Sequence, residues 1–143
     1  RFWISPRPLA RIPSPSVQLT ERLRAGLPPT SVWAMPSNIA CMIATGAWAE
    51  ARCDIFRMTT PLPAPPADCD LDYGHAFGIG LQGSKGYRIC AGDTVADPNA
   101  PTLNYGEEIN LGGFRCRSEK TGMTCTNPGG HGFRLSKARQ ELF

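Results

Sequence analysis

Side chains suited to acid–base or ligand-binding chemistry are concentrated in one short stretch, which contains Asp70, Asp72, Tyr73 and His75. Two carboxylates beside an imidazole could serve general acid–base catalysis, and carboxylate oxygens could bind calcium. The stretch lacks the other oxygen ligands and the glycine of a calcium-binding helix–loop–helix, so that site is excluded. On a strand Asp70 and Asp72 would share one face, where solvated or turn-forming aspartates are the usual alternative. The four residues form a candidate binding site.

A second candidate is His131, which stands between glycines in the segment Gly129–Phe133. Flanking glycines can expose an imidazole ring, and His131 with Ser136 and an aspartate would form a nucleophilic constellation. The chain has no Gly-x-Ser-x-Gly sequence to hold such a serine. The simpler interpretation is a tight turn between a strand and a helix, in which His131 packs or hydrogen-bonds locally. His131 is retained as a candidate binding residue, and no catalytic residue is assigned.

The six cysteines predict three disulfides, because an even number of cysteines in a chain of this size is typical of an oxidising compartment. Their spacings of 12, 16, 21, 26 and 9 residues include no Cys-x-x-Cys pair, and neither histidine adjoins a cysteine. Zinc binding and free thiols are the weaker alternatives, and no metal site is predicted. Many pairings are open to six cysteines. We predict pairing between sequence neighbours: Cys41–Cys53, Cys69–Cys90 and Cys116–Cys125.

Positive charge is confined to an N-terminal arm, residues 1–30. The arm holds five arginines and one glutamate, a net charge of +4, whereas residues 31–143 hold 10 basic and 11 acidic side chains, a net charge of −1. A nucleic-acid-binding domain would spread Lys and Arg over a folded face with aromatic residues between them, so no nucleic-acid partner is predicted. No apolar run approaches the roughly 20 residues that span a bilayer. A cationic, proline-rich arm is compatible with an anionic membrane or wall surface.

The sequence of the N-terminal arm predicts a short helix and a docking contact. Ser14 is a suitable N-cap for a short helix over Pro15–Ala25, with the proline at the first helical position. The proline-rich residues before this helix are expected to be extended. Three large apolar residues at the beginning of the arm are candidates for docking onto this domain or onto a partner: Phe2, Trp3 and Ile4.

Residues 31–143 are predicted to form one mainly β domain, a small sheet of disulfide-bonded antiparallel hairpins with short N- and C-terminal helices. A strand that opens near Ser31 is followed by one in which apolar residues alternate through Cys41. A turn centred on Ala47 then brings Cys53 opposite Cys41, at a separation that neighbouring antiparallel strands provide for a disulfide.

Further strands are predicted on both sides of glycine-rich turns. Residues 59–67 hold four prolines, which cannot donate to a sheet ladder, and so predict an irregular connector. Residues 76–81 carry apolar side chains at every second position and lead through a glycine-rich turn to a strand over 87–91. One more strand places Ile109 and Leu111 on one face.

A second disulfide-bonded hairpin and a helix are predicted at the C-terminal end. Alternating residues place Cys116 opposite Cys125, with a loop centred on Lys120–Thr121. Ser136 then suits the N-cap of a short helix over Lys137–Phe143, whose last two residues would complete the core. These elements surround the candidate histidine of the preceding glycine turn.

The sequence contains, in this order, the motifs SNIAC…ARCDI, CDLDYG, CAGDTV, LNYGEEINLGGFRC and GMTCTNPGGHGFRLSKARQELF. Together they resemble a small actinobacterial family of exported domains of unknown function, over roughly residues 31–143. Members of that family typically follow a signal peptide or a lipoprotein anchor, so the resemblance implies an extracytoplasmic location and disulfide formation. It implies no reaction and no catalytic residue.

A non-catalytic function is therefore predicted: binding or sensing at the bacterial cell envelope, by a protein that is secreted or anchored on the outer face of the membrane. The partner would be an envelope protein, a cell-wall component or a small molecule, and no cofactor is predicted. One alternative is an envelope-associated hydrolase that uses His131 or the pair Asp70 and Asp72. The other is an accessory subunit whose arm binds a larger envelope complex. The sequence determines neither the ligand nor the oligomeric state.

Overall fold

The computed structural model describes residues 30–35, as backbone only, and residues 38–143. The predicted helix Pro15–Ala25 and the three candidate docking residues lie outside the described residues: Phe2, Trp3 and Ile4. The fold described below is therefore that of the β domain and its first strand.

Ten β-strands form in the described ranges, which contain no helix and hence none long and apolar enough to cross a membrane. Each strand pairs antiparallel with its neighbour in sequence, within two five-stranded sheets, β1 to β5 and β6 to β10. Antiparallel neighbours need only a short connection, but β3 and β4 are joined by the long segment 56–71, which contains the proline-rich connector. The strands are β1 Thr30–Met35, β2 Ile39–Ala44, β3 Glu50–Ile55, β4 Asp72–Gly80, β5 Tyr87–Ala91, β6 Glu108–Leu111, β7 Phe114–Glu119, β8 Gly122–Thr126, β9 Gly132–Leu135 and β10 Gln140–Leu142.

The mainly β prediction is confirmed, and so are several of its strands. β5 has the predicted bounds. The turn between β2 and β3 is centred on Ala47 and sets Cys41 opposite Cys53. The hairpin of β7 and β8 has its loop at Lys120–Thr121, as predicted. In the two hairpins, alternating side chains on both sides of a short turn were sufficient to set the register.

The two sheets pack face to face around a core made of the inward side chains of both. Phe77 of β4 and Phe133 of β9 meet across the sheets, with ring centroids 6.3 Å apart. Removal of apolar surface from water, at about 25 cal/mol per Å², is the main stabilising term in such a core. The other non-cysteine hydrophobic residues with at most 2% of their surface exposed are Ile39, Ile43, Ala51, Ile55, Ile79, Leu103, Ile109, Phe114, Met123 and Leu135.

The predicted disulfide pairing is confirmed for all six cysteines, and none is free. Two disulfides lie in the core and join directly opposite residues, with Cα atoms 4.0 Å apart in the β2–β3 hairpin and 4.1 Å apart in the β7–β8 hairpin. The third, Cys69–Cys90, joins the segment before β4 to β5 across a Cα separation of 5.9 Å. The core pairs therefore fasten hairpins, whereas Cys69–Cys90 fastens a loop to a strand.

The predicted C-terminal helix is wrong, because Gln140–Leu142 forms β10 and pairs with β9. A turn at Ser136–Arg139 reverses the chain, and Oγ of Ser136 accepts a hydrogen bond from the backbone N–H of Arg139 at 3.1 Å. Ser136 thus closes a turn instead of capping a helix. A helix of two turns is marginal by itself, whereas β10 gains a backbone ladder with β9 and packs Leu142 against the core.

Candidate functional site

β4 carries a bulge at the residues selected from the sequence. Pairing with β5 is regular at Asp72 and again at Ala76, but these four steps along β4 match only two steps along β5. Tyr73–His75 therefore bulge out opposite Cys90. Bulges bend a strand, re-aim its side chains and are common beside binding sites. The side chains of Tyr73 and His75 therefore do not follow the strict up-and-down alternation of a regular strand.

The bulge corrects two predictions about this stretch. The strand predicted over residues 76–81 begins at Asp72 and ends at Gly80, because pairing resumes on the far side of the bulge. Asp70 lies before the strand, so Asp70 and Asp72 do not share a strand face. The alternation of residue types could not reveal the full length of β4, because the bulge adds two residues and so interrupts the alternating pattern.

Gly74, at the centre of the bulge, lets the proline-rich connector lie against β4. Its φ is +106°, a conformation that residues with a side chain rarely adopt. A Cβ atom at this position would lie 2.9 Å from Cδ of Pro63 and 3.0 Å from Cδ2 of Leu62. The close approach of the connector to the bulge therefore depends on glycine at this position.

The connector, residues 59–67, is held at both of its ends. At the beginning, the backbone N–H of Thr59 donates to the carbonyl oxygen of Lys137 at 2.8 Å, and Oγ1 of Thr60 donates to Oε1 of Gln140 at 2.6 Å. Just after its end, the Cys69–Cys90 disulfide attaches the chain to β5. The prolines between these points cannot donate backbone hydrogen bonds, so the end attachments govern its position.

An open groove with a volume of about 460 Å³ lies between the connector and the bulge. This volume is typical of small-molecule sites, which span about 300–1,000 Å³. Much of the surface is apolar, and the leucines at positions 62 and 71 are 53% and 59% exposed. Three of the predicted site residues line the groove together with residues of the connector and of the segment before β4: Asp72, Tyr73, His75, Leu62, Pro63, Pro65 and Leu71.

The ring of His75 has a defined orientation in the groove. Its Nδ1 lies 2.9 Å from the carbonyl oxygen of Ile55, at the end of β3. A carbonyl oxygen can only accept, so Nδ1 carries the proton of the neutral ring and Nε2 is its acceptor. Among the described residues no carboxylate is hydrogen-bonded to His75, which separates this arrangement from a catalytic His–Asp pair.

Asp70 and His131 lie outside the groove. Asp70 is exposed in the segment between the connector and β4. His131 lies in the turn between β8 and β9, where its backbone N–H donates to Oδ1 of Asn127 at 3.0 Å. Nδ2 of Asn127 in turn donates to the carbonyl oxygen of Gly80, at the far end of β4. The predicted glycine turn around His131 is present, but it joins two strands.

The surface around the groove is negatively charged. Asp68, Asp70 and Asp72 are exposed, and within residues 38–143 none of them forms an ion pair. From Met58 to Ser84 the chain contains no Lys or Arg. These carboxylates therefore leave negative charge beside an apolar groove, without a cationic side chain from the same stretch to compensate it.

A buried ion pair on β3 escaped the sequence analysis. Nε of Arg52 lies 2.9 Å from Oδ1 of Asp54, and the two residues are 8% and 4% exposed. Arg52 also binds Asp93, with Nη1 3.1 Å from the carboxylate, and Thr94 donates to Asp54 at 2.9 Å. The cluster thus fastens the loop after β5 onto sheet β1–β5. The only sequence signal was a polar residue on each side of Cys53.

The charges of this cluster satisfy one another. Burial by itself lowers the pKa of Arg52, but the hydrogen bonds and charges of Asp54 and Asp93 outweigh that effect and raise the pKa above its usual value. An arginine guanidinium is already charged at physiological pH, and this environment favours its charged form further. Because both buried groups are already paired, we interpret the cluster as structural.

The apolar wall of the groove also escaped the sequence analysis. Leu62, Pro63, Pro65 and Leu71 come from a stretch that the sequence marked only as a connector and a turn. The available signal was two leucines, Leu62 among prolines and Leu71 between two aspartates, where an ordinary solvated loop would not need apolar residues. Their contact with β4 depends on Gly74, which sequence alternation does not identify as a contact point.

A protein-family profile described as "Family of unknown function (DUF6636)" matches residues 40–143 of the chain. The match begins at the second residue of β2 and continues through β10, and it therefore includes the groove and the three disulfides. No curated protein and no solved structure matches the chain.

Proposed function

We infer that this chain, which belongs to the DUF6636 family of unknown function, is a non-catalytic binding module that holds its ligand in the groove between the connector and the bulge of β4. The ligand that suits the groove is an extended peptide segment that combines apolar side chains with positive charge. The observation that carries the proposal is that three polar residues at the beginning of β4 and the apolar connector line the same open groove: Asp72, Tyr73 and His75.

The geometry of the groove supports binding. Tyr73 supplies an aromatic surface with a hydroxyl group, and His75 and Asp72 supply polar atoms beside it. Apolar walls with a few placed polar groups are the usual composition of a ligand site. Because Nδ1 of His75 is engaged by Ile55, the ring has a defined orientation and offers Nε2 as its acceptor.

Charge complementarity supports the class of ligand. The carboxylates of Asp68, Asp70 and Asp72 lie along the segment that borders the groove and have no ion-pair partner within the described ranges. Lys or Arg side chains of a ligand would pair with them, while its apolar side chains would cover the exposed leucines of the walls. An anionic ligand would meet repulsion along the same segment.

The arrangement of the histidines favours binding over hydrolysis. A hydrolase would need a histidine oriented by a carboxylate beside a nucleophile or a bound water. His75 is oriented by a backbone carbonyl oxygen instead, and the turn that contains His131 lies at the other end of β4. No observation favours the hydrolase alternative, and the residues on which the accessory-subunit alternative depends lie outside the described ranges.

The proposal also includes a location outside the cytoplasm, at the bacterial cell envelope. Three disulfides in one domain are typical of proteins that fold in an oxidising compartment. The resemblance to exported actinobacterial domains agrees with such a location, either secreted or lipid-anchored. A peptide ligand would then be an exposed segment of another envelope protein.

Binding is tested by titrating the protein with two acetylated, amidated peptides of the same length, Ac-LRLRL-NH2 and Ac-LELEL-NH2, while amide NMR spectra are recorded. We expect the cationic peptide alone to shift resonances, with the largest shifts in residues 71–75. Raising the salt concentration should weaken binding, because exposed charges are screened. Shifts confined to other surfaces, or equal binding of both peptides, would contradict the proposal.

Matched variants locate the site. Asp72→Asn is expected to weaken binding of the cationic peptide about fivefold, the effect of one exposed charge pair worth about 1 kcal/mol. Tyr73→Ala and His75→Ala should also weaken it. Asp97→Asn, Tyr105→Ala and His131→Ala change the same residue types away from the groove and should leave the affinity unchanged.

A further inference from the structure

The three disulfides differ in their access to solvent. All four cysteines of the two core disulfides have no exposed surface. In the third, Cys90 is exposed and Cys69 is half-buried. Thiol–disulfide exchange requires a thiolate to reach a sulfur atom in line with the bond, so accessibility decides which disulfide reacts in the folded protein. Cys69–Cys90 is the disulfide that an external thiol can reach without unfolding of the core.

The exposed disulfide is also part of the groove's support. Cys90 is the residue of β5 that faces the bulge Tyr73–His75. Cys69 lies two residues before Leu71, which lines the groove, and Sγ of Cys69 is 3.4 Å from the carbonyl oxygen of Leu71. A change at this disulfide is therefore transmitted directly to the groove wall.

Few other interactions hold this end of the groove wall. The backbone N–H of Cys69 donates to the carbonyl oxygen of Pro66 at 3.0 Å, which is a turn within the same segment. The connector is otherwise fastened at its opposite end, through Thr59 and Thr60. β4 and β5 remain paired at Asp72 with Ala91 and again through Ala76–Gly78. Opening of the disulfide would therefore release the segment between Pro66 and Asp72 without dismantling the sheet.

We propose that Cys69–Cys90 is a redox-sensitive latch that a dithiol opens, and that its opening loosens the groove and lowers ligand affinity. One thiolate of the dithiol attacks a sulfur of the pair, and the other cysteine leaves as a thiolate and takes up a proton. The second thiol of the reductant resolves the mixed disulfide. The reductant ends as a disulfide, and Cys69 and Cys90 end as two thiols. The effect on affinity rests on the proposed binding function, whereas the selective opening does not.

Selective opening is tested on the intact protein with dithiothreitol under native conditions, followed by alkylation with iodoacetamide and peptide mass mapping. We expect two alkyl groups per chain, at Cys69 and Cys90, before any of the four core cysteines is labelled. Labelling of all six cysteines together, or of a core pair first, would overturn the proposal. The variant with Cys69→Ser and Cys90→Ser should take up no alkyl group at the same concentration of dithiothreitol.

Loosening of the groove is measured by amide hydrogen exchange, which needs no ligand. After selective reduction we expect several-fold faster exchange in residues 69–75 and unchanged exchange in β7 and β8, because only the released segment opens. Unchanged exchange in residues 69–75 would overturn the coupling between the disulfide and the groove. If this exchange accelerates but the oxidised protein binds neither test peptide, the latch stands and the proposed binding function fails.

Discussion

Sγ of Cys53 lies 3.7 Å from Sγ of Cys125, so the core disulfide of one sheet touches the core disulfide of the other. Each of these disulfides fastens its own hairpin, and their contact joins the two sheets at the centre of the core. Closure of either hairpin by its disulfide stabilises the fold by about 3 kcal/mol in the chain-entropy model. The contact adds packing that neither disulfide has alone.

Removal of the core disulfides should therefore give energies that are not additive. Replacing both cysteines of either core pair by alanine is expected to lower the free energy of unfolding by about 3 kcal/mol or more. Replacing all four should differ from the sum by more than about 0.5 kcal/mol, because the two pairs share a contact. Guanidinium chloride unfolding measures each value.

The surface disulfide provides the control for this experiment. Alanine substitution of Cys69 and Cys90 removes a disulfide that lies at the surface, so its effect should add to that of either core pair within about 0.5 kcal/mol. Additive losses for the two core pairs would mean that their contact contributes nothing to stability.

The buried ion pair of β3 should be sensitive to the loss of one partner. Asp54→Asn leaves the guanidinium of Arg52, which is 8% exposed, without its buried counter-charge, and we expect a loss of about 3–5 kcal/mol in the free energy of unfolding. Asp93→Asn removes a carboxylate whose side chain is 77% exposed and should cost less than about 1 kcal/mol. Urea unfolding of both variants checks the prediction, and equal losses would contradict it.

Substitution of Gly74 should disturb the connector as well as the bulge. Gly74→Ala places a Cβ atom 2.9 Å from Pro63 and also demands an unfavourable positive φ. Gly106→Ala is the matched control, since Gly106 has a φ of +90° but no heavy atom within 4 Å of the new Cβ. Both variants should lose about 1 kcal/mol from backbone strain.

Only Gly74→Ala should also move the connector. We expect changed amide NMR shifts in residues 59–67 for this variant and unchanged shifts there for Gly106→Ala. Thermal unfolding of the two variants should show the larger loss for Gly74→Ala. Equal losses of stability in the two variants, with unchanged connector resonances, would contradict this prediction. They would mean that Leu62 and Pro63 do not have to move when a Cβ atom is added at Gly74.

Glu108 should make stability depend on pH in the acidic range. The hydrogen bond from Asn110, followed by those from Arg115 and Arg117, lowers the pKa of Glu108 in spite of partial burial. A lowered folded-state pKa means that the stabilisation is complete above the unfolded value of about 4.3 and is lost as the pH falls through the folded value.

Glu108→Gln should therefore lower the unfolding temperature at about pH 7 and have a smaller effect at about pH 3. The expected loss at the higher pH is below about 1 kcal/mol, because the pairs of Glu108 are partly exposed. Asp68→Asn, at an exposed residue outside every ion pair of the described ranges, is the control and should show neither effect. If Glu108→Gln lowered the unfolding temperature more at acidic pH than at neutral pH, the prediction would be contradicted.

The elements that could be predicted from the sequence are those built by local interactions. The Cys41–Cys53 and Cys116–Cys125 hairpins follow from alternation on both sides of a short turn, which sets opposite residues without reference to the rest of the chain. The C-terminal helix was wrong although β9 and β10 also form a local hairpin. The serine at position 136 suits a turn as well as a helix N-cap, and the backbone pairing of β10 with the preceding strand β9 decided between them.

The candidate site was predicted only in part. Asp72, Tyr73 and His75 were identified by residue type and do line one groove, whereas Asp70 and His131 lie outside it. The binding role of all five stays a prediction. The apolar walls could not be foreseen, because residue type alone does not show which strand a proline-rich connector will cross.

The sequence by itself determined the mainly β class and the registers of the β2–β3 and β7–β8 hairpins, since each depends on residues close together in the chain. For Cys69 and Cys90 it supported only a preference for pairing between sequence neighbours. Only the tertiary structure decided where the groove lies and what it contains. Its walls meet because a bulge in β4, a glycine at position 74 and the disulfide Cys69–Cys90 bring the connector onto the strand. Those contacts depend on how the connector packs against β4, which the pattern of residue types along the chain does not specify.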